Sequence, residues 1–357
     1  MACPVRKFPL NQPDGHEPPI PRWKLQLPEG VDRVFTTYVG VQSHNQDQAT
    51  LDATQKAISA VNHWVKNPSH SPVLSEDFSV VRGDVKGSIT WVAYWVDAET
   101  WKASLDALNL PQLYAQLGDA RSSVGLWSEA FETPAGRLET NYSGLDYLPG
   151  LGKIPGADRQ RHKLSAYWGA ARDRLPGSGW DAFERVDDSV SAPPDPVPAG
   201  LGERLVGINY DNMAHIRSGQ FWENTNEEER EAYETLLEPT LLKGLGYLWD
   251  TPVESGNCGL RFLRNLAPDG HELRETCGAG FFRCLEDLEN WSKHHPTHKA
   301  IYTGLMKHQK KFGTTRKLRT WHEVSILKKG EAHFDYVNCQ PETGSIRFLK
   351  LKKSTIV

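Results

Sequence analysis

The run Ala93-Tyr94-Trp95-Val96-Asp97-Ala98-Glu99 has a counterpart in Gly280-Phe281-Phe282-Arg283-Cys284-Leu285-Glu286, and Trp127-Ser128-Glu129 has one in Trp321-His322-Glu323. Each pair couples a strand to the element after it, and the pairs recur in the same order, so the chain reads as one unit written twice. β-branched and aromatic runs predict strands at residues 34–41, 78–85, 89–96 and 124–131, with helices at 51–65 and 98–117 and a closing hairpin arm at 137–142. The order returns beyond Leu205: a strand at 205–216, a helix at 226–249, strands at 259–265 and 273–282, helices at 285–294 and 296–312, and a hairpin over 318–337. Thr225 and Glu228 read as a capping box for the 226–249 helix, and Pro239 as a kink.

The expected fold class is therefore α+β, with two duplicated ferredoxin-like βαββαβ units of the dimeric α/β-barrel type, antiparallel sheets and helices packed on one face. Residues 1–33 form an arm, 34–144 the first repeat, 145–204 a connecting segment with one strand, and 205–357 the second repeat, which carries the site. Seven prolines within residues 1–30 argue for an extended arm and against helix or central strand. Residues 145–200 are rich in Gly and Pro, with a strand expected at 164–171 and a proline run at 193–198. Gly150-Leu151-Gly152-Lys153-Ile154-Pro155-Gly156 has the wrong spacing for a dinucleotide loop and reads as plain loop.

A chain of 357 residues can bury a large pocket, and 12 Trp are consistent with aromatic walls around something flat. Lys+Arg (41) and Asp+Glu (45) nearly cancel, which gives no electrostatic reason to expect nucleic acid or a membrane surface. The basic cluster at residues 307–319 reads as a solvated helix face. Five cysteines without Cys-x-x-Cys spacing indicate neither a disulfide framework nor covalently attached haem, and point to a reducing, cytoplasmic setting. No apolar run near Met1 has signal-peptide length, and none approaches the ~18 residues of a membrane helix.

The chemistry centres on Trp291–Tyr302. Pro296 pushes His295 out of helical geometry and suits the first position of a new helix, which places His298 on its first turn. Ile301, Leu305, His308 and Phe312 continue the same inward face. An inward histidine there can be a packed core residue, a base or a metal ligand. His294 and His295 lie on a different element, and neither cysteine pairs nor a His-Glu-x-x-His helix support zinc. A lone imidazole suits a large cofactor such as haem. In the βαββαβ unit the fourth strand lies antiparallel beside the first, so Ser218 and His322 are expected neighbours on the sheet beneath the helix of His298. The first unit has Ser128 where the second has His322, so the second is the one fitted out for chemistry.

Four strings, Tyr167-Trp168-Gly169-Ala170-Ala171-Arg172-Asp173-Arg174-Leu175-Pro176, Asp211-Asn212-Met213-Ala214-His215-Ile216-Arg217-Ser218-Gly219-Gln220, His295-Pro296-Thr297-His298 and Leu318-Arg319-Thr320-Trp321-His322-Glu323-Val324-Ser325, resemble motifs of the aldoxime dehydratases, phenylacetaldoxime dehydratases among them. The likeness runs in order from about Pro18 to Gly344. It departs at Ala171, often methionine in the family, and at Trp321, often another aromatic such as tyrosine, and both bear on substrate shape. The resemblance implies a lyase with haem b, His298 as the iron ligand, His322, Ser218 and Arg174 on the distal side, and Glu139 in support. It also implies a homodimer acting on a small aldoxime, R-CH=N-OH, to give a nitrile and water. Ferrous iron would bind the oxime nitrogen while His322 protonates the departing hydroxyl, Ser218 holds that hydroxyl and Arg174 supplies fixed positive charge. Other readings of the same fold are a haem peroxidase or monooxygenase and a non-catalytic haem sensor.

Overall fold

The computed structural model describes residues 6–186 and 198–356. In chain order its elements are β1 (Arg22–Gln26), β2 (Arg33–Ser43), α1 (Gln48–Lys66), β3 (Leu74–Arg82), β4 (Ile89–Trp95), α2 (Ala98–Leu108), α3 (Leu110–Ala115), β5 (Val124–Pro134), β6 (Leu138–Tyr142), β7 (Asp158–His162), α4 (Ala171–Arg174), β8 (Arg204–Ile208) and β9 (Met213–Phe221). There follow α5 (Glu227–Ala232), α6 (Glu238–Asp250), α7 (Pro252–Ser255), β10 (Asn257–Leu266), β11 (Glu272–Phe282), α8 (Leu285–His294), α9 (Pro296–Phe312), β12 (Arg319–Leu327), β13 (Ala332–Val337) and β14 (Lys352–Ser354). The protein is α+β, and its strand pairings are all antiparallel.

The strands run in the order β14-β8-β13-β5-β2-β4-β3-β10-β11-β9-β12-β6-β1-β7. Within it, β5-β2-β4-β3 and β12-β9-β11-β10 share one order, fourth-first-third-second, and the two runs join edge to edge where β3 pairs with β10. The sheet then curls so that its inner faces meet. Tyr38 and Phe131 of the first run lie 5.3 and 4.5 Å from the His215 ring of the second, and Phe131 also touches Phe281. Trp127, Trp321, Phe334 and Tyr336 fill the same central core. On the outer faces, α1, α2 and α3 pack on the first run through Val61, Trp64, Trp101 and Leu113. The second run is covered through Leu245 and Leu248 of α6 and Leu285, Leu288 and Trp291 of α8.

Several local expectations are corrected. The two hairpins do not form: β6 leaves β5 and pairs with β12, while β13 leaves β12 and pairs with β5, so each half lends the other the strand that follows its four-stranded run. The strand expected at 205–216 breaks between β8 and β9, where Asn212 adopts φ 60°, a left-handed conformation that asparagine tolerates. The helix expected at 98–117 breaks at Asn109 (φ 28°) ahead of Pro111, and Asn109 Oδ1 accepts from the Gln112 amide. The 226–249 helix is capped by Asn226, which accepts from the Glu229 amide, whereas Thr225 turns back to the Trp222 carbonyl. It passes through a π turn at Tyr233–Leu237 before Pro239, the kind of irregularity that accommodates a proline inside a helix.

The arm does hold a strand, contrary to expectation: the proline-free stretch between Pro21 and Pro28 forms β1, between β6 and β7. In the connecting segment the strand is β7 rather than 164–171, which instead turns through a short 3₁₀ helix at Trp168–Ala170 into α4. The 150–156 loop is a 3₁₀ turn whose Gly150 and Leu151 amides donate to the Glu76 and Glu323 carboxylates. Of the proline run at 193–198, all but Pro198 lies outside the described residues.

Candidate active site

Pro296 occupies the first turn of α9, and His295 stands before it in extended conformation (φ −78°, ψ 132°), its ring accepting from the Thr297 amide. That entry aims His298 inward. Of the three neighbouring histidines, His294 is exposed, His295 stacks on Tyr247 at 3.6 Å, and His298 lines a cavity between the outer face of the second run and its helices. Trp291 packs edge-on against the His298 ring at 4.7 Å, with Tyr167 at 6.0 Å.

The floor of the cavity follows from strand alternation. Ile216, Ser218 and Gln220 of β9 share one face, as do Thr320 and His322 of β12, while Arg217, Trp321 and Glu323 between them point to the central core. Ser218 and His322 are direct partners in the β9–β12 ladder, the neighbourhood expected from the strand order. Leu241, Leu245 and Leu248 of α6, Ile301 and Leu305 of α9, and Phe282 make the remaining wall largely apolar. The space between these walls, counted out into the solvent at its open mouth, is about 1390 Å³.

Because β6 crosses to pair with β12, it delivers Glu139 beside His322. His322 Nδ1 lies 3.1 Å from Glu139 Oε1, and Arg174 of α4 donates its Nε–H to the same oxygen at 2.5 Å. The Arg174 Nη1 holds the Tyr167 carbonyl at 3.1 Å and also the Ser165 carbonyl, which ties the connecting segment over the cavity. Glu139 is fully buried, yet the Arg174 and His322 charges outweigh the burial and hold its carboxyl down at about 2. It is a carboxylate, so Nδ1 of His322 carries the proton and Nε2 the lone pair. Burial pushes His322 down to about 4 against the pull of Glu139, and the Arg174 and Arg22 charges add to the decrease.

Two further neighbours of His322 escaped the sequence reading. Asn141 is its partner across the β6–β12 ladder, with Nδ2 3.4 Å from Nε2, and the Trp168 ring lies 4.1 Å from the imidazole. Asn141 would have followed from Glu139 by strand alternation had β6 been assigned to β12. Trp168 lies inside one of the quoted strings and carried no separate signal.

The fit to haem can be judged from His298. It is buried on the cavity wall, and burial lowers its pKa to about 4, so it presents the neutral imidazole that a metal requires. Its Nδ1 is buried without a full hydrogen bond, although the Ser292 carbonyl is near enough to favour a proton on the ring. The residues present thus suit haem, which His298 would hold through its neutral imidazole.

A neutral histidine on the helical wall, a buried histidine–carboxylate pair on the sheet braced by Arg174 of α4, and an apolar space between them suit a cofactor-dependent enzyme built on an antiparallel sheet. The chain belongs to the haem-containing dehydratase family, whose model matches residues 37–345. It is a lyase with haem as its cofactor. It is 31% identical to an aliphatic aldoxime dehydratase of Pseudomonas chlororaphis, across 97% of this chain and 96% of the relative. It is 30% identical to a phenylacetaldoxime dehydratase of Bacillus sp. (strain OxB-1), across 96% and 95%. A crystal structure of an aldoxime dehydratase superposes with TM-score 0.81 at 29% identity, covering 97% of this chain and 96% of that one. Another, solved in complex with butyraldoxime, superposes with TM-score 0.79, covering 97% and 94% at 29% identity.

Proposed function

We propose that this protein dehydrates aldoximes to nitriles, with His298 holding haem and His322, Ser218, Arg174 and Glu139 serving the reaction. The observation that carries the reading is that Ser218 and His322 line the cavity whose other wall bears His298, with Glu139 and Arg174 buried in contact behind His322. Bound haem iron supplies electron density that weakens the N–O bond of the substrate.

His322 supplies the proton. Glu139 fixes Nδ1–H, so the second proton of the imidazolium sits on Nε2, and the low pKa makes that cation a strong acid toward a poor leaving group. Ser218 is placed to hold the hydroxyl, and the Arg174 charge keeps Glu139 ionised. Proton transfer to the hydroxyl oxygen breaks the N–O bond and releases water. The C–H proton of the substrate then passes to the neutral His322, and the electron pair of that bond completes the carbon–nitrogen triple bond. The imidazolium is regenerated and nothing is oxidised. The leucine-rich wall excludes water and accepts an apolar R group.

The two runs of equal strand order support the duplicated βαββαβ reading, with residues 34–144 and 205–357 as the repeats. Gly40 faces Trp127 in the first and Gly219 faces Trp321 in the second, at equivalent places in the ladders. We also read the assembly as a cytoplasmic homodimer, in line with the family resemblance. Among the described residues no helix is long and apolar enough to cross a membrane.

The test is anaerobic incubation of the dithionite-reduced, haem-loaded protein with phenylacetaldoxime and with butyraldoxime, followed by assay for the nitriles. Nitrile formation from either supports the reading. Turnover of hydrogen peroxide with a reducing dye, and no nitrile from any aldoxime, would replace it.

A further inference from the structure

Arg22 of β1 lines the cavity, and Arg316 lies between the end of α9 and the lining residues Leu318 and Thr320. Both are only 4% exposed. Nε of Arg22, and Nε and Nη2 of Arg316, are buried without a hydrogen-bond partner, and among the described residues neither guanidinium has a carboxylate at ion-pair distance. The other deeply buried arginines are matched: Arg217 by Glu76, Arg261 by Glu129 and Asp84, Arg174 by Glu139. The carboxylates whose charge reaches Arg22 and Arg316 are already engaged, Glu139 by Arg174 and His322, and Glu229 by the Lys317 and Leu318 amides.

Burial pushes Arg22 down to about 9, with the Arg316 and Arg174 charges adding to the decrease, and burial pushes Arg316 down to about 10, with the Arg319 charge adding to it. A buried, unpaired charge is among the costliest arrangements in a protein. The arrangement is stable once a ligand brings negative charge. An aldoxime is neutral, so the substrate does not bring it.

We propose that Arg22 and Arg316 receive the propionate carboxylates of haem b, so that the polar edge of the macrocycle points to β1 and the end of α9. This rests on the haem reading of the cavity. Thr320, whose Oγ1 is buried without a partner on the same wall, is a further donor there. The arm that carries β1 thereby becomes part of the cofactor site.

The experiment titrates apo-protein with haem b and with its dimethyl ester, which lacks the carboxylates, and follows the Soret band. Wild type is expected to prefer haem b. Arg22→Met and Arg316→Met should each weaken haem b about tenfold or more, the scale of a charge-assisted hydrogen bond, while leaving the ester within a few-fold. The double variant should no longer distinguish the two. Its apo form should melt at or above the wild-type temperature, because an uncompensated charge has been removed. A double variant with an unchanged preference for haem b overturns the proposal. So does one whose apo form melts lower and whose affinity for both forms falls equally, which is the signature of a merely structural role. His298→Ala separates the two readings: a wild type that binds both forms and a His298→Ala that binds neither leaves the haem site standing and judges the arginines on discrimination alone. A wild type that takes up neither form overturns both.

Discussion

His322 Nδ1 lies 3.1 Å from Oε1 of Glu139, which joins the reacting imidazole of the second half to a carboxylate from the first. Only the exchange of β6 across the molecule makes this contact, so the site belongs to the whole fold. Glu139 is therefore a positioning and charge-tuning residue whose loss can be read through His322.

Glu139→Gln should keep haem and lower nitrile formation. The carboxylate raises the His322 pKa against burial. Its removal lowers that pKa further, so the imidazolium is lost at a lower pH and the falling limb of the rate profile moves to more acid pH. A pH–rate series with Soret monitoring checks this, and a drop in rate with an unmoved limb rejects the tuning role.

His322→Asn should retain haem and aldoxime binding while nitrile formation falls by ~10²–10⁴, the range for a positioned acid–base group and equal to about 3–5 kcal/mol of barrier. Ser218→Ala should cost less, by misplacing the hydroxyl. Rates of His322→Asn within a few-fold of wild type would remove His322 from the chemistry.

His298→Ala should lose haem with the fold in place, since the central core and the helices of the first half lie away from that ring and in the second half Trp291 also packs among Leu285 and Leu288. Pyridine haemochrome content and far-UV circular dichroism together decide it. Full haem occupancy would move the ligand elsewhere.

Much of this was legible in sequence because alternation and helical spacing are local. Ser218 beside His322 followed from strand order, and inward His298 followed from Pro296. The exchanged strands were not legible. A short link such as Pro134–Arg137 suggests a hairpin, whereas the pairing of β6 with β12 is set by burial between distant halves. That error hid Asn141, and with it the route by which Glu139 reaches the site. Arg22 was masked differently: a proline-rich arm looks peripheral, and nothing local reveals that its arginine is buried without a counter-ion.

Gly219 also makes a prediction. A Cβ there would lie 2.3 Å from the Trp321 ring, which is buried and cannot retreat. Gly219→Ala should destabilise the protein by about 1–3 kcal/mol through overpacking, and Gly40→Ala against Trp127 should do the same. Urea denaturation of the variants measures it, and unchanged midpoints would show that the tryptophans can shift.

Stability of the apo-protein should pass through a maximum near neutrality, for two opposed reasons. Burial lowers His215 from 6.5 to about 3, and His322 from 6.5 to about 4. The folded state binds these protons less readily than the unfolded chain does, so their contribution is present above pH 6.5 and is lost as pH falls through the folded values. Burial instead raises Glu323 from 4.5 to about 7, although Arg217, the Tyr94 hydroxyl and the Leu151 amide favour its charge. Its contribution is full below pH 4.5 and is lost as pH rises through about 7. Each effect is of the order of a few kcal/mol at most, since one pKa unit is about 1.4 kcal/mol. In a melting-temperature profile Glu323→Gln, whose one oxygen keeps the Leu151 amide bond while its NH2 faces the Tyr94 oxygen as a donor, should reduce the loss on the alkaline side, which Glu275, also raised to about 7, shares, and leave the acid side. His215→Phe, set among Tyr38, Phe131 and Phe281, should soften the acid side and leave the alkaline one. If either substitution moved both sides together, its residue would not belong to the limb assigned to it.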